Sequence, residues 1–92
     1  MKTHQITYPD LFQTADHLII AFIEDALDKF GFDFDHNWKI TRNGNDITLT
    51  NPDGYRYLLK VVKIVKEDQM VIIDYTLQVE IIDELIELLP VY

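Results

Sequence analysis

The chain has 92 residues, 48% of them hydrophobic and 12% aromatic, enough for one modest core and too apolar for a disordered segment, so a single domain over residues 1–92 is expected. Cysteine is absent, which excludes disulfides and thiolate metal sites, and the longest unbroken apolar run, Leu18 to Ile23, is far short of a membrane span. Both facts fit a cytoplasmic protein that does not enter membranes, and the net charge of −8 argues against direct binding of nucleic acid.

Leu11 to Phe30 predicts a first helix. Leu11, Ala15, Leu18, Ile19, Phe22, Ile23, Ala26, Leu27 and Phe30 recur at helical spacing, and Gly31 stands where a C′ glycine would close the element. Tyr8-Pro9-Asp10 could open it, with Thr14 as a second N-cap. Its polar face holds Gln13, His17, Glu24, Asp25 and Asp28.

After a connection over 31–37, Trp38–Arg42 and Asp46–Thr50 predict a hairpin around Asn43-Gly44, with Ile40 opposite Ile47 and Trp38 opposite Leu49. Asn51-Pro52-Asp53-Gly54 suits a type I turn followed by a left-handed glycine, which sets Ile47 opposite Leu59, Leu49 opposite Tyr57 and Asp46 opposite Lys60. Tyr55 to Lys66 is the longest stretch rich in β-branched and aromatic residues and reads as the central strand of an antiparallel sheet. It is apolar on both faces toward its far end, so both faces are expected to be covered. A three-residue loop at Glu67-Asp68-Gln69 is expected, because it puts Val71, Ile73, Tyr75 and Leu77 on the face of Leu59 and Val61, whereas a two-residue loop would bury Asp74 with Val61.

From Val79 to Leu89 the pattern turns helical again. Val79, Ile82, Leu85, Ile86 and Leu89 share one side, and Glu80, Asp83, Glu84 and Glu87 fall on the other. The expected fold is therefore α+β, a four-stranded antiparallel meander flanked by an N-terminal and a C-terminal helix in the order α-β-β-β-β-α. Its core is expected to hold Leu18, Phe22, Ile23, Trp38, Ile40, Ile47, Leu49, Leu59 and Val61.

Charge is the most informative functional signal. Residues 38–66 carry a net +4 between ends of −5 and −7, and the last 26 residues contain no base. On a helix the four acids of the C-terminal segment would repel one another at i+3 and i+4 spacing by about 0.2–0.5 kcal/mol per pair. A solubilising face explains such a cluster, and so does a docking surface for a basic protein. Double-stranded RNA-binding modules share the predicted element order, but they place lysines where this chain has Glu80, Asp83 and Glu84.

Other chemistry finds little support. Asp33, Asp35 and Asn37 match the opening of an EF-hand loop, yet Trp38 and Gly44 stand where its glycine and bidentate glutamate belong, so no metal is expected. His4, His17 and His36 lack zinc spacing, Asp16 and His17 point apart on a helix, and the chain has neither serine nor cysteine as a nucleophile. The expected function is a non-enzymatic, cofactor-free interaction module, an inhibitor or antitoxin-like protein of phage type. It would dock Glu80, Asp83, Glu84 and Glu87, with Glu24 and Asp28, on a basic, nucleic-acid-processing partner. The alternative is a homodimeric structural or regulatory subunit that buries its second sheet face through Leu58, Val62, Ile64 and Ile72.

Overall fold

The computed structural model describes residues 2–11, 14–81 and 84–88. Its first element is a strand that the expected α-β-β-β-β-α order does not include. In β1, His4–Pro9, the side chains of His4, Ile6 and Tyr8 turn inward and Gln5, Thr7 and Pro9 turn outward. Ile6, Thr7 and Tyr8 suit a strand, but so short a stretch needs a partner to pair with. It is held because β5 (Met70–Ile81) offers an edge, with His4 opposite Tyr75 and Pro9 opposite Met70. Proline is tolerated at the end of such an outer strand, where its missing N–H breaks no ladder.

Helix α1, Ala15–Lys29, starts later than the apolar stripe suggested. The Thr14 hydroxyl accepts the His17 N–H at 3.1 Å, a satisfied N-cap, so Leu11 falls before the helix and is 81% exposed. Its other end is a Schellman cap. Gly31, at φ +85°, donates to the Asp28 carbonyl and Phe32 to the Leu27 carbonyl, both at 3.0 Å, and the turn aims Phe32 back at the core.

The meander consists of β2 (Lys39–Asn43), β3 (Asp46–Thr50), β4 (Arg56–Glu67) and β5, in the sheet order β1-β5-β4-β3-β2. The β3–β4 register agrees with the turn reading: Ile47 faces Leu59, Leu49 faces Tyr57 and Asp46 faces Lys60. Gly54, at φ +88°, closes that turn with its N–H on the Asn51 carbonyl at 3.0 Å. The β2–β3 hairpin turns one residue later than expected, at Gly44-Asn45. Ile40 thus meets Leu49 and Arg42 meets Ile47, which preserves the faces.

At the β4–β5 hairpin the faces come out as predicted by a different route. The loop has two residues, Asp68 and Gln69, both at positive φ. A bulge between Val61 and Lys63 then resets the parity, so that Val61 meets Tyr75 on the core side and Asp74 turns away with Lys63.

The C-terminal helix is not there. Instead β5 runs on to Ile81, keeps pairing with β4 as far as Glu80 opposite Arg56, and is joined by β6, Glu84–Glu87, so that the described residues form a six-stranded antiparallel sheet with one helix. The physical reason lies in the edge that β5 leaves open beyond His4. Pairing Gln78–Ile81 with Glu84–Glu87 satisfies that backbone, and it sets Glu80 against Leu85 and Glu87 against Gln78 rather than stacking carboxylates on one helical stripe.

Helix α1 covers one face of the sheet. Phe22, Ile23, Ala26, Leu27 and Phe30 pack on Tyr8, Ile47, Leu49, Tyr57, Leu59, Val61 and the inward residues of β5 from Val71 to Val79. Of the expected core, Phe22, Ile23, Ile47, Leu49, Leu59 and Val61 are buried, while Leu18 and Trp38 lie half-buried at its margin. Ile40 is 41% exposed because β2 is the outermost strand. The second face is polar, with Lys60 exposed, Thr48, Asp74 and Gln78 half-buried and Thr76 buried among them, and α1 packs on the other face. Among the described residues no helix is long and apolar enough to cross a membrane.

Candidate interaction surfaces

The acids expected to act together are separated by the fold. Glu80, on the second sheet face, pairs with Arg56 at 2.5 Å. Glu87, on β6, accepts the backbone N–H of Lys2. Glu84 lies in β6, and Asp83 falls outside the described residues. The ridge predicted from helical spacing therefore does not form, and Glu80 is neutralised across the β4–β5 ladder.

Glu24 and Asp28 fare differently. They stand one turn apart on the exposed side of α1, and the Schellman cap folds the following loop beside them. Together Glu24, Asp25, Asp28, Phe32, Asp33 and Phe34 line an open groove of about 390 Å³. The rings of Phe32 and Phe34 are half-buried and packed inward, Phe32 against Tyr57 at 4.8 Å and Phe34 against Trp38 at 5.8 Å, so aromatic side chains floor the groove. No lysine or arginine lines it. Asp25 has a structural task as well: the Tyr8 hydroxyl donates to its carboxylate at 2.6 Å, tying β1 to α1. Burial, that hydrogen bond and the Asp25 charge hold the Tyr8 phenol far above its ordinary pKa. The acids were readable as helix-face residues, but the aromatic floor was not, because it depends on where the cap sends Phe32.

The sheet residues expected to form a dimer face do not form one patch. Leu58 and Ile72 lie half-buried on the second face, but the bulge turns Ile64 to the helix side opposite Ile73. A shallow hollow of about 370 Å³ on the second face is lined by residues that include Asp46, Thr48, Leu58, Lys60, Thr76 and Gln78. Its polar lining of hydroxyls, an amide, Lys60 and Asp46 converges on no reactive group.

Elsewhere the polar chemistry is internal. His4 is buried, with its ring 5.1 Å from Phe30 and 5.6 Å from Tyr75, and its Nε2 lacks a hydrogen-bond partner. Burial, then the charges of Lys29 and Lys2, pull its pKa below the ordinary value, against a bond to the Leu88 backbone and the charge of Glu87. In the loop at Asp33, the Asp35 carboxylate accepts the Asn37 N–H at 2.8 Å and so caps its own turn. Among the described residues no three His, Asp or Glu side chains gather where they could hold a metal. Comparison with family models, with curated proteins and with solved structures gave no match.

Proposed function

We propose that the chain is a small acidic binding module, non-enzymatic and cytoplasmic, that docks the α1 groove on a basic protein. The observation that carries this reading is the lining of the groove. Its four carboxylates, from Glu24, Asp25, Asp28 and Asp33, surround two half-buried phenyl rings, with no base among the lining residues. Carboxylates along a helix can occupy positions that phosphates take in the cleft of a nucleic-acid-processing enzyme. Phe32 and Phe34 add faces on which a partner's arginine can stack, worth about 0.5–2 kcal/mol for such a contact. We take that docking to be the work of an inhibitor or antitoxin-like protein, a role that small acidic chains of this kind can fill. Among the acids singled out from the sequence, the reading keeps Glu24 and Asp28 and drops the C-terminal set as its centre.

The test is capture from the source cell at about 0.1 M and about 1 M salt, with the parent chain and with Glu24→Lys/Asp28→Lys. The expected result is a basic partner held at low salt, released at high salt and not held by the variant. Equal capture by the variant, or capture indifferent to salt, contradicts the proposal.

A further inference from the structure

Strand β4 outlasts its neighbour. β3 stops pairing where Asp46 meets Lys60, and the Asn45 carbonyl takes the Val61 N–H at 2.9 Å. Beyond that point β4 keeps β5 on one side, from Lys63 opposite Asp74 to Glu67 opposite Met70, and no described strand on the other. The change in cover is visible in the side chains: Tyr57 and Leu59, flanked by β3, are 4% and 1% exposed, whereas Val62 and Ile64 are 52% and 45% exposed. An edge of this kind presents unpaired N–H and C=O groups to any strand that can approach.

We infer that the occupant of this edge is a second copy of the chain, β4 against β4, antiparallel about a two-fold axis through Val65. Charge complementarity selects both the partner and the register. A two-fold axis normal to the sheet pairs residues that share a face, which after the bulge are Lys63, Val65 and Glu67 on one side and Ile64 and Lys66 on the other. Centring on Lys63 or on Lys66 places like charges opposite each other, and centring on Ile64 leaves both lysines against valines. Centring on Val65 sets each Lys63 opposite the other copy's Glu67, valine against valine, and Ile64 against the aliphatic stem of Lys66. Lysines on an edge ordinarily bar pairing. Here they oppose centring on either lysine, and only the register centred on Val65 sets Lys63 opposite a carboxylate. Lys63 would then lie between Asp74 of its own chain and Glu67 of the other. An edge this short makes less than a standard interface, so association is micromolar or weaker.

Sedimentation equilibrium of the full chain from about 10 μM to about 1 mM tests the inference. The parent's mass is expected to rise from 10.9 kDa toward twice that value. Glu67→Lys, whose neighbour on β5 is the neutral Met70, should weaken the dimer about tenfold, and Glu67→Gln by less. Adding Lys63→Glu to Glu67→Lys should restore it, with circular dichroism confirming that each variant folds. A mass fixed at 10.9 kDa, a dimer indifferent to Glu67→Lys, or a folded double variant no stronger than the single one overturns the inference. So does a dimer lost on Leu58→Lys but not on Glu67→Lys, which would move the contact to the second sheet face.

Discussion

Replacing Tyr75 with Phe removes one oxygen from the middle of the core and should make the protein more stable. Tyr75 is fully enclosed, its hydroxyl has no hydrogen-bond partner, and burial pushes its pKa up to about 12. A buried hydroxyl left unpaired costs about 1–3 kcal/mol of lost hydration. The ring itself stays useful, edge-on to Phe22 at 5.2 Å and tilted against His4 at 5.6 Å, and Phe keeps both contacts. The void left by one oxygen recovers only part of that gain, so a net stabilisation of about 1 kcal/mol is expected. Urea denaturation should show it as a higher midpoint at unchanged slope, and thermal melting as a rise of about 4–8 °C. A loss of about 1 kcal/mol or more would refute the reasoning, because it would mean that the hydroxyl is bonded, for instance through a buried water shared with His4 Nε2.

Three further outcomes are expected. Phe22→Ala, at a fully buried position against Tyr75, should cost about 3–5 kcal/mol by urea denaturation, and a cost below about 1 kcal/mol would mean the α1 face is misassigned. Asp68→Asn with Gln69→Gly gives the β4–β5 turn residues suited to its positive φ values of 50° and 62°, and should raise stability by about 1 kcal/mol in the same assay. His4 binds its proton less readily when folded than at its ordinary value of 6.5, so its contribution is complete above that pH and is lost as pH falls through the lowered pKa. Stability should therefore drop below about pH 6.5 more steeply in the parent than in His4→Phe, and parallel curves would show that His4 does not titrate against folding.

How much of this was legible in the sequence depended on whether a segment's own pattern or a distant edge decided its state. The α1 stripe from Ala15 onward, the Thr14 cap, the Gly31 stop and the Asn51–Gly54 turn are local chemistry and form as the residues suggest, whereas Leu11 falls before the helix. β1 could have been found from the alternation of His4, Ile6 and Tyr8, but only the β5 edge makes it a strand. Residues 79–89 carry apolar side chains at spacings that serve helix or strand. There the open backbone of β5 outweighed periodicity, an ordinary case of tertiary context overriding local pattern. The bulge at Val62 had no signal in composition at all, and it alone separates Ile64 from the face of Leu58 and Ile72. For the candidate site, Glu24 and Asp28 were readable from helical spacing. The aromatic floor came from the geometry of a helix cap.

The most direct measurement is an amide chemical-shift titration of the labelled chain with an oligoarginine peptide, in the parent and in Glu24→Lys/Asp28→Lys. The groove reading predicts shifts concentrated at Glu24, Asp28, Phe32, Asp33 and Phe34, absent from the variant and suppressed by salt. Shifts centred instead on the Arg56–Glu80 pair and β6, or a variant that binds as tightly as the parent, would contradict it.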